Sequence, residues 1–140
     1  MIKTGIIFGA LLFITPASWA EGLPVEPGMW EMTSVINMPM MPEPRVTTVN
    51  ECMEKSEISM DDLGGKEMDS KCQFSPPEIE GNTMKWSVDC PTEGGTSRGE
   101  WEATSSGDSV VGKGKIVVSF QGQTMEMDMG WEGKRIGDCE

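Results

Sequence analysis

Cys72 and Cys90 bracket an alternating stretch of chain, and no other feature restricts the fold as much. Met84, Trp86, Val88 and Cys90 recur at every second position, with Lys85, Ser87 and Asp89 between them. That is the period of a strand with one buried and one wet face. Cys72 and Phe74 share the same parity on the other side of Gly81, the sequence midpoint of the two cysteines. Glu80-Gly81-Asn82 is good turn chemistry, because Gly and Asn tolerate positive φ. Folding there sets Cys72 opposite Cys90 and Phe74 opposite Val88 on the apolar side, at a spacing a disulfide spans. Pro76-Pro77 must distort the first strand of this hairpin.

Four cysteines, Cys52, Cys72, Cys90 and Cys139, all follow residue 20. An even count in an oxidising compartment reads as two disulfides, for which sequence alone allows three pairings. The hairpin selects Cys72–Cys90, which leaves Cys52–Cys139. A metal site is the rival reading, but the chain has no Cys-x-x-Cys and no His.

The compartment is legible at the N-terminus. Lys3, an apolar run from Gly5 to Ile14, and Pro16 before Ser18-Trp19-Ala20 form a secretory signal peptide over residues 1–20. Its apolar run is shorter than the roughly 20 residues of a membrane span. No later segment is apolar enough to span a bilayer, and no cysteine follows the cleavage site to carry a lipid. The expectation is one soluble periplasmic domain over residues 21–140. Removing Lys3 takes the formal net charge from −12 to −13. So acidic a chain repels phosphate backbones and anionic lipid heads, which argues against nucleic-acid and membrane partners.

Alternation continues along most of the remainder. Trp30, Met32, Ile36 and Met38 predict a first strand from Gly28, ended by the prolines at 39, 42 and 44. Arg45 to Met53 is β-branched and returns antiparallel to it. Residues 54–70 lack the alternation; Ser59-x-x-Asp62 is a capping signal, and Gly64-Gly65 limits any helix to a turn or two. Trp101 and Ala103 share one face of the next strand and Glu100 and Glu102 the other. A turn at Ser106-Gly107 pairs Trp101 with Gly112 and Glu100 with Lys113. A type II′ turn at Gly122-Gln123 pairs Phe120 with Met125, Val118 with Met127, Ile116 with Met129 and Gly114 with Trp131. Both hairpins thereby lay a tryptophan over a glycine. Cys139 shares Trp131's parity, which aims it at the core face. The expected fold is all-β: an antiparallel meander of about six to eight strands, curled into a small barrel, half-barrel or sandwich.

Several of these pieces, in this order, resemble the bacterial exported family called domain of unknown function 3617. They are the Pro27-Gly28-Met29-Trp30-Glu31 opening, the Met/Pro-rich loop, a cysteine after the second strand, the cysteine-bracketed hairpin, and the closing Arg135-Ile136-Gly137-Asp138-Cys139. The likeness spans the chain after residue 20. It implies a small periplasmic domain without an assigned activity.

Absent residue types remove whole reaction classes from consideration. Without His there is no Ser-His-Asp triad, Cys-His pair or His-ligated metal. No phosphate-binding or dinucleotide-binding loop motif occurs. The carboxylate pairs Glu126/Asp128 and Glu100/Glu102 fall on outward parities and read as solvated faces. Asp61, Asp62 and Asp69 match no calcium-loop spacing. No catalytic residue and no cofactor is expected, and an enzyme is the least favoured class.

Methionine is the one unusual abundance, twelve after residue 20. Met125, Met127 and Met129 read as core, because Ile116, Val118 and Phe120 share their face. Met38, Met40 and Met41 sit in the proline loop, where thioethers suit either Cu(I) or an adaptable apolar contact. The reading is therefore a non-enzymatic periplasmic binding module for a small apolar ligand or an envelope-protein segment, with Trp30, Trp86, Trp101 and Trp131 as ligand-facing residues. A Met-rich Cu(I)-binding protein is the alternative.

Overall fold

The computed structural model describes residues 22–63 and 71–140. The expected signal peptide lies outside them. So do Gly64-Gly65 and Asp69. Ten strands follow one another: β1 Gly22–Pro24, β2 Gly28–Asn37, β3 Arg45–Met53, β4 Glu57–Ser59, β5 Gln73–Phe74, β6 Glu78–Glu80, β7 Thr83–Thr92, β8 Gly95–Ser105, β9 Ser109–Phe120 and β10 Gln123–Gly137. No helix forms among the described residues.

Eight strands make one antiparallel sheet in the order β3-β2-β10-β9-β8-β7-β5, with β6 also paired to β7. The meander from β7 to β10 is thus extended past β10 by the N-terminal hairpin β2–β3. The sheet is not closed, so of the expected forms the barrel is ruled out. Its two edges are unlike: β3 is nine residues long, whereas β5 and β6 hold two and three residues. Pro76 and Pro77 separate β5 from β6, and neither can donate to a ladder that would carry the sheet round.

The central hairpin has the expected register. Phe74 pairs Val88, and Cys72 is bonded to Cys90 with their Cα atoms 4.1 Å apart. Beyond the prolines the pairing slips by one residue, to Ile79 opposite Met84. Gly81 takes φ 61° in the turn.

The two later hairpins differ from expectation by a slip of two. Ser105 pairs Val110, so residues 106–109 form the loop and not a two-residue turn. Ser106 N–H closes that loop on Ser109 O at 2.8 Å. In the other hairpin the turn residues are Gln121 and Gly122, at φ 47° and 79°. Positive φ at both central positions is the type I′ turn, whose twist suits two-residue hairpins. Phe120 therefore pairs Gln123, Val118 pairs Met125, Ile116 pairs Met127, and Gly114 pairs Met129. A two-residue slip preserves the face of every side chain, whereas a one-residue slip would reverse it. The tryptophans consequently keep glycine partners but exchange them: Trp131 lies over Gly112 and Trp101 over Gly114.

The second layer is small. β1 and β4 pair as a separate two-stranded sheet, Leu23 opposite Ile58. Leu23 buries itself among Met84, Trp86 and Ala103, and Val25 and Ile58 join Trp30 and Val110. Ser105, itself buried, ties this cap to the sheet: its hydroxyl donates to Pro24 O and accepts from Gly107 N–H. Glu26 N–H donates to Gly107 O at 2.8 Å nearby.

Ser59-x-x-Asp62 makes a capping contact without a helix. The Asp62 carboxylate accepts from Ser59 N–H at 2.9 Å, Ser59 Oγ at 2.8 Å and Lys55 Nζ at 2.5 Å. A single turn follows, in which Leu63 N–H reaches Met60 O at 3.2 Å. The Lys55 ammonium, then the Ser59 N–H, hold the Asp62 carboxyl down at about 2, from an ordinary 3.8. A depressed folded-state value stabilises the fold above the unfolded value and is lost as pH falls through the folded one. Asp62→Asn is therefore expected to cost at most about 1 kcal/mol at pH 7, since Lys55 is largely exposed and solvent screens the pair. The difference from wild type should vanish between about pH 4 and pH 2. Urea titrations of both proteins across that range check it.

The second disulfide joins Cys52 to Cys139, with Cα atoms 5.5 Å apart. It does not lie on the core face. The β10–β2 pairing shifts between Arg135 and Gly137, leaving Ile136 as a bulge and Gly137 opposite Met29. The extra residue reverses the alternation, so the bridge forms beside Met29 and exposed Cys52 on the outward face.

Candidate functional site

The core-side face of the sheet can be read as rows of paired residues. Met84, Ala103, Gly112 and Trp131 form one row, and Ser105, Val110, Gly133 and Met32 the next. The β1–β4 cap packs on this end. Moving the other way, Trp86, Trp101, Gly114, Met129 and Ile36 form a border row. Beyond it come Val88, Gly99, Ile116 and Met127, then Cys90, Ser97, Val118 and Met125. The β1–β4 pair lies at the other end of this face; of the outer rows Val88 and Gly99 are buried, and the less covered part is on β9 and β10. Ile36, Ile116, Val118, Met127 and Met129 are half-buried there, Met125 is 42% exposed and Phe120 47%.

The parity assigned to Met125, Met127 and Met129 is thus correct, but they are not interior. The cap is too short to reach them: β1 and β4 are three residues each, about 10 Å of strand against the full length of β9 and β10. The methionine loop opens at the same end. Asp128 pairs Asn37, so the register carried one residue further sets Met38 beside Met127. Met41 N–H turns back to Met38 O at 3.0 Å, and Met40 and Met41 are 82% and 45% exposed. Two methionine groups that are separate in sequence therefore lie towards the same end of the sheet. Only the β2–β10 pairing, between strands nearly a chain length apart, brings them together.

The four tryptophans fall in different settings. Trp30 is wholly buried, and its indole N–H donates to Glu26 O at 2.9 Å. Trp86 is buried and stacks on Trp101, ring centroids 6.4 Å apart and 14° from parallel. Trp101 and Trp131 are half-buried over their glycines. Trp86 and Trp101 both border the outer rows, and of the two only Trp101 is half-buried. Its indole nitrogen is buried near Gly99 and has no hydrogen-bond partner among the described residues.

Among the described residues, concavities open to solvent include a larger and a smaller one. A groove of about 760 Å³ lies on the outward face, walled by Lys85, Ser87, Glu102, Lys113 and Lys115 at the positions that alternate with the core-side border row. Its cations are already engaged: Glu102 lies 3.5 Å from Lys85 and 3.4 Å from Lys113, and Lys115 lies 3.7 Å from Glu126. Arg98 lies 3.0 Å from Asp89. Lys113 holds the Glu102 carboxyl below its usual range, the opposite of what a general acid needs. A smaller opening of about 300 Å³ is lined by Trp30, Met32, Met53, Ile58 and Leu63 with the Lys55–Asp62 pair. Among the described residues no group of three His, Cys, Asp or Glu side chains is placed to hold a metal. Glu100, Glu126 and Asp128 are exposed on the outward face, as their parity requires.

Neither the curated proteins nor the solved structures contain a significant match to this chain. A family model does match, over residues 25–139, from two residues before the Pro27–Glu31 motif to the last cysteine. That span takes in both disulfides and every strand from β2 to β10, and the chain belongs to the DUF3617 family, proteins of unknown function.

Proposed function

We propose that this protein is a non-enzymatic binding module of the bacterial periplasm that holds an acyl chain or an apolar protein segment on the uncovered half of its core-side face. The observation that carries the reading is the mismatch between cap and sheet: β1–β4 cover one end of a continuous apolar face and leave the Met127–Ile116 end open. Exposed apolar area of this kind is retained where something binds. Methionine suits the role, since its unbranched, polarizable side chain fits differently shaped apolar partners. The rigid backing is supplied by the stacked Trp86 and Trp101. The signal-peptide pattern of residues 1–20 and the two disulfides support an exported location.

Native mass spectrometry of protein recovered from periplasm tests this. The expected result is an adduct of lipid-like mass, retained by wild type and absent from Met127→Lys. A spectrum of the bare polypeptide alone, at any extraction condition, counts against it.

The second reading, Cu(I) binding, is favoured by the same convergence. Met38, Met40 and Met41 lie in one turn beside Met127, and soft thioethers select Cu(I). Competition of Cu(I) against a chelator separates the two: binding tighter than micromolar that is lost on changing Met38, Met40 and Met41 to Leu supports copper.

A further inference from the structure

The two sheet edges are finished in different ways. At one, β5 and β6 are very short, are broken by Pro76-Pro77, and carry exposed Glu78 and Glu80. These devices keep an edge from pairing with another chain. At the other, β3 runs nine residues without proline or bulge, in unbroken register with β2 from Gly28↔Met53 to Ile36↔Arg45. Every residue from Arg45 to Cys52 is exposed, Val46 by 59% and Val49 by 53%. A long, regular, β-branched edge without proline or bulge is a template for strand addition.

Charge identifies the occupant. Arg45 is the only cation of the β2–β3 hairpin, and neither Arg45 nor Glu51 has an ion-pair partner among the described residues of its own chain. Both have the core-side parity, opposite Ile36 and Trp30 respectively. In an isologous antiparallel pair the two-fold axis stands perpendicular to the sheet, so a residue can only face one of like parity. The register centred on Thr48 satisfies that rule and sets Arg45 of each copy opposite Glu51 of the other. It also faces Val46 with Asn50 and Thr47 with Val49.

We propose that the chain forms a two-fold dimer by antiparallel pairing of β3 with β3 of a second copy, centred on Thr48 and closed by two reciprocal Arg45–Glu51 pairs. The sheet then continues through both copies, and the open Met127–Ile116 face of each is left free.

Sedimentation equilibrium of the chain from residue 21 onward, at about 0.15 M salt so that net negative charge is screened, tests the proposal. Wild type should dimerise in the micromolar range. Arg45→Glu and Glu51→Arg should each weaken association about tenfold or more, because both symmetric contacts become repulsive. The double variant should return to within about threefold of wild type, since each new residue again faces its opposite. The register has its own readout: Thr48→Cys should cross-link to itself across the axis, while Val46→Cys, offset from its own copy, should not. A monomer up to about 1 mM overturns the proposal, including one that captures an extended peptide on the edge. So does a dimer indifferent to the charge reversals, or one the double variant does not restore.

Discussion

Replacing Cys52 and Cys139 together by serine is expected to lower the midpoint of thermal unfolding by about 15–20 °C, more than any other change to the disulfides. The bridge spans 87 positions of sequence, against 18 for Cys72–Cys90. In the chain-entropy account the longer loop contributes about 4–5 kcal/mol and the shorter about 3. The fold leans on the longer bridge for a second reason. Its two cysteines lie on β3 and just past β10, so it fastens both partners of β2 at the end where Trp30 is buried. Differential scanning calorimetry of the two paired-serine variants checks the ranking. A larger loss from removing Cys72–Cys90 would contradict it.

Gly112→Val should destabilise the domain by about 2–3 kcal/mol, as overpacking against a ring that cannot move without uncovering the core. A Cβ at position 112 would fall inside the Trp131 indole, and one at 114 inside that of Trp101. The pairing makes the effect specific. Trp131→Leu should relieve Gly112→Val but not Gly114→Val, and Trp101→Leu should do the reverse. Coupling energies from denaturant titration of the two double-mutant cycles read this directly. The exchanged pairs, Trp101 with Gly112 and Trp131 with Gly114, would show coupling only if the hairpins turned at Ser106-Gly107 and Gly122-Gln123 instead.

That exchange marks how far local sequence carries. Alternation placed every side chain of β7 to β10 on its proper face as far as Arg135, because parity is a local property of an extended chain. The Cys72–Cys90 hairpin was legible at its disulfide end, where Phe74 faces Val88, but past Pro76-Pro77 its register differs by one residue from the Gly81-centred one. The other two hairpins were legible only to within two residues. Turn type depends on which residues take positive φ, and Gln121 does so although glycine would be the usual choice there. What alternation could not show was extent of cover. Leu23, Val25 and Ile58 become a cap only because residues 22–24 pair with 57–59, a contact with no local signature. The candidate site depends on that extent. Among the described residues the methionine-lined end is left uncovered, because the three-residue strands β1 and β4 cannot roof strands of twelve and fifteen. The reversal at Ile136 was hidden for the same reason, being set by β2 and not by β10 itself.

Fluorescence titration with Nile red tests most directly whether the uncovered half of the core-side face is a binding surface. Wild type is compared with Met127→Lys on that face and with Val117→Lys, one strand position from Ile116 but on the opposite face. The account predicts that Met127→Lys weakens dye binding about tenfold or more while Val117→Lys changes it less than about twofold. Equal affinities for all three proteins would contradict it.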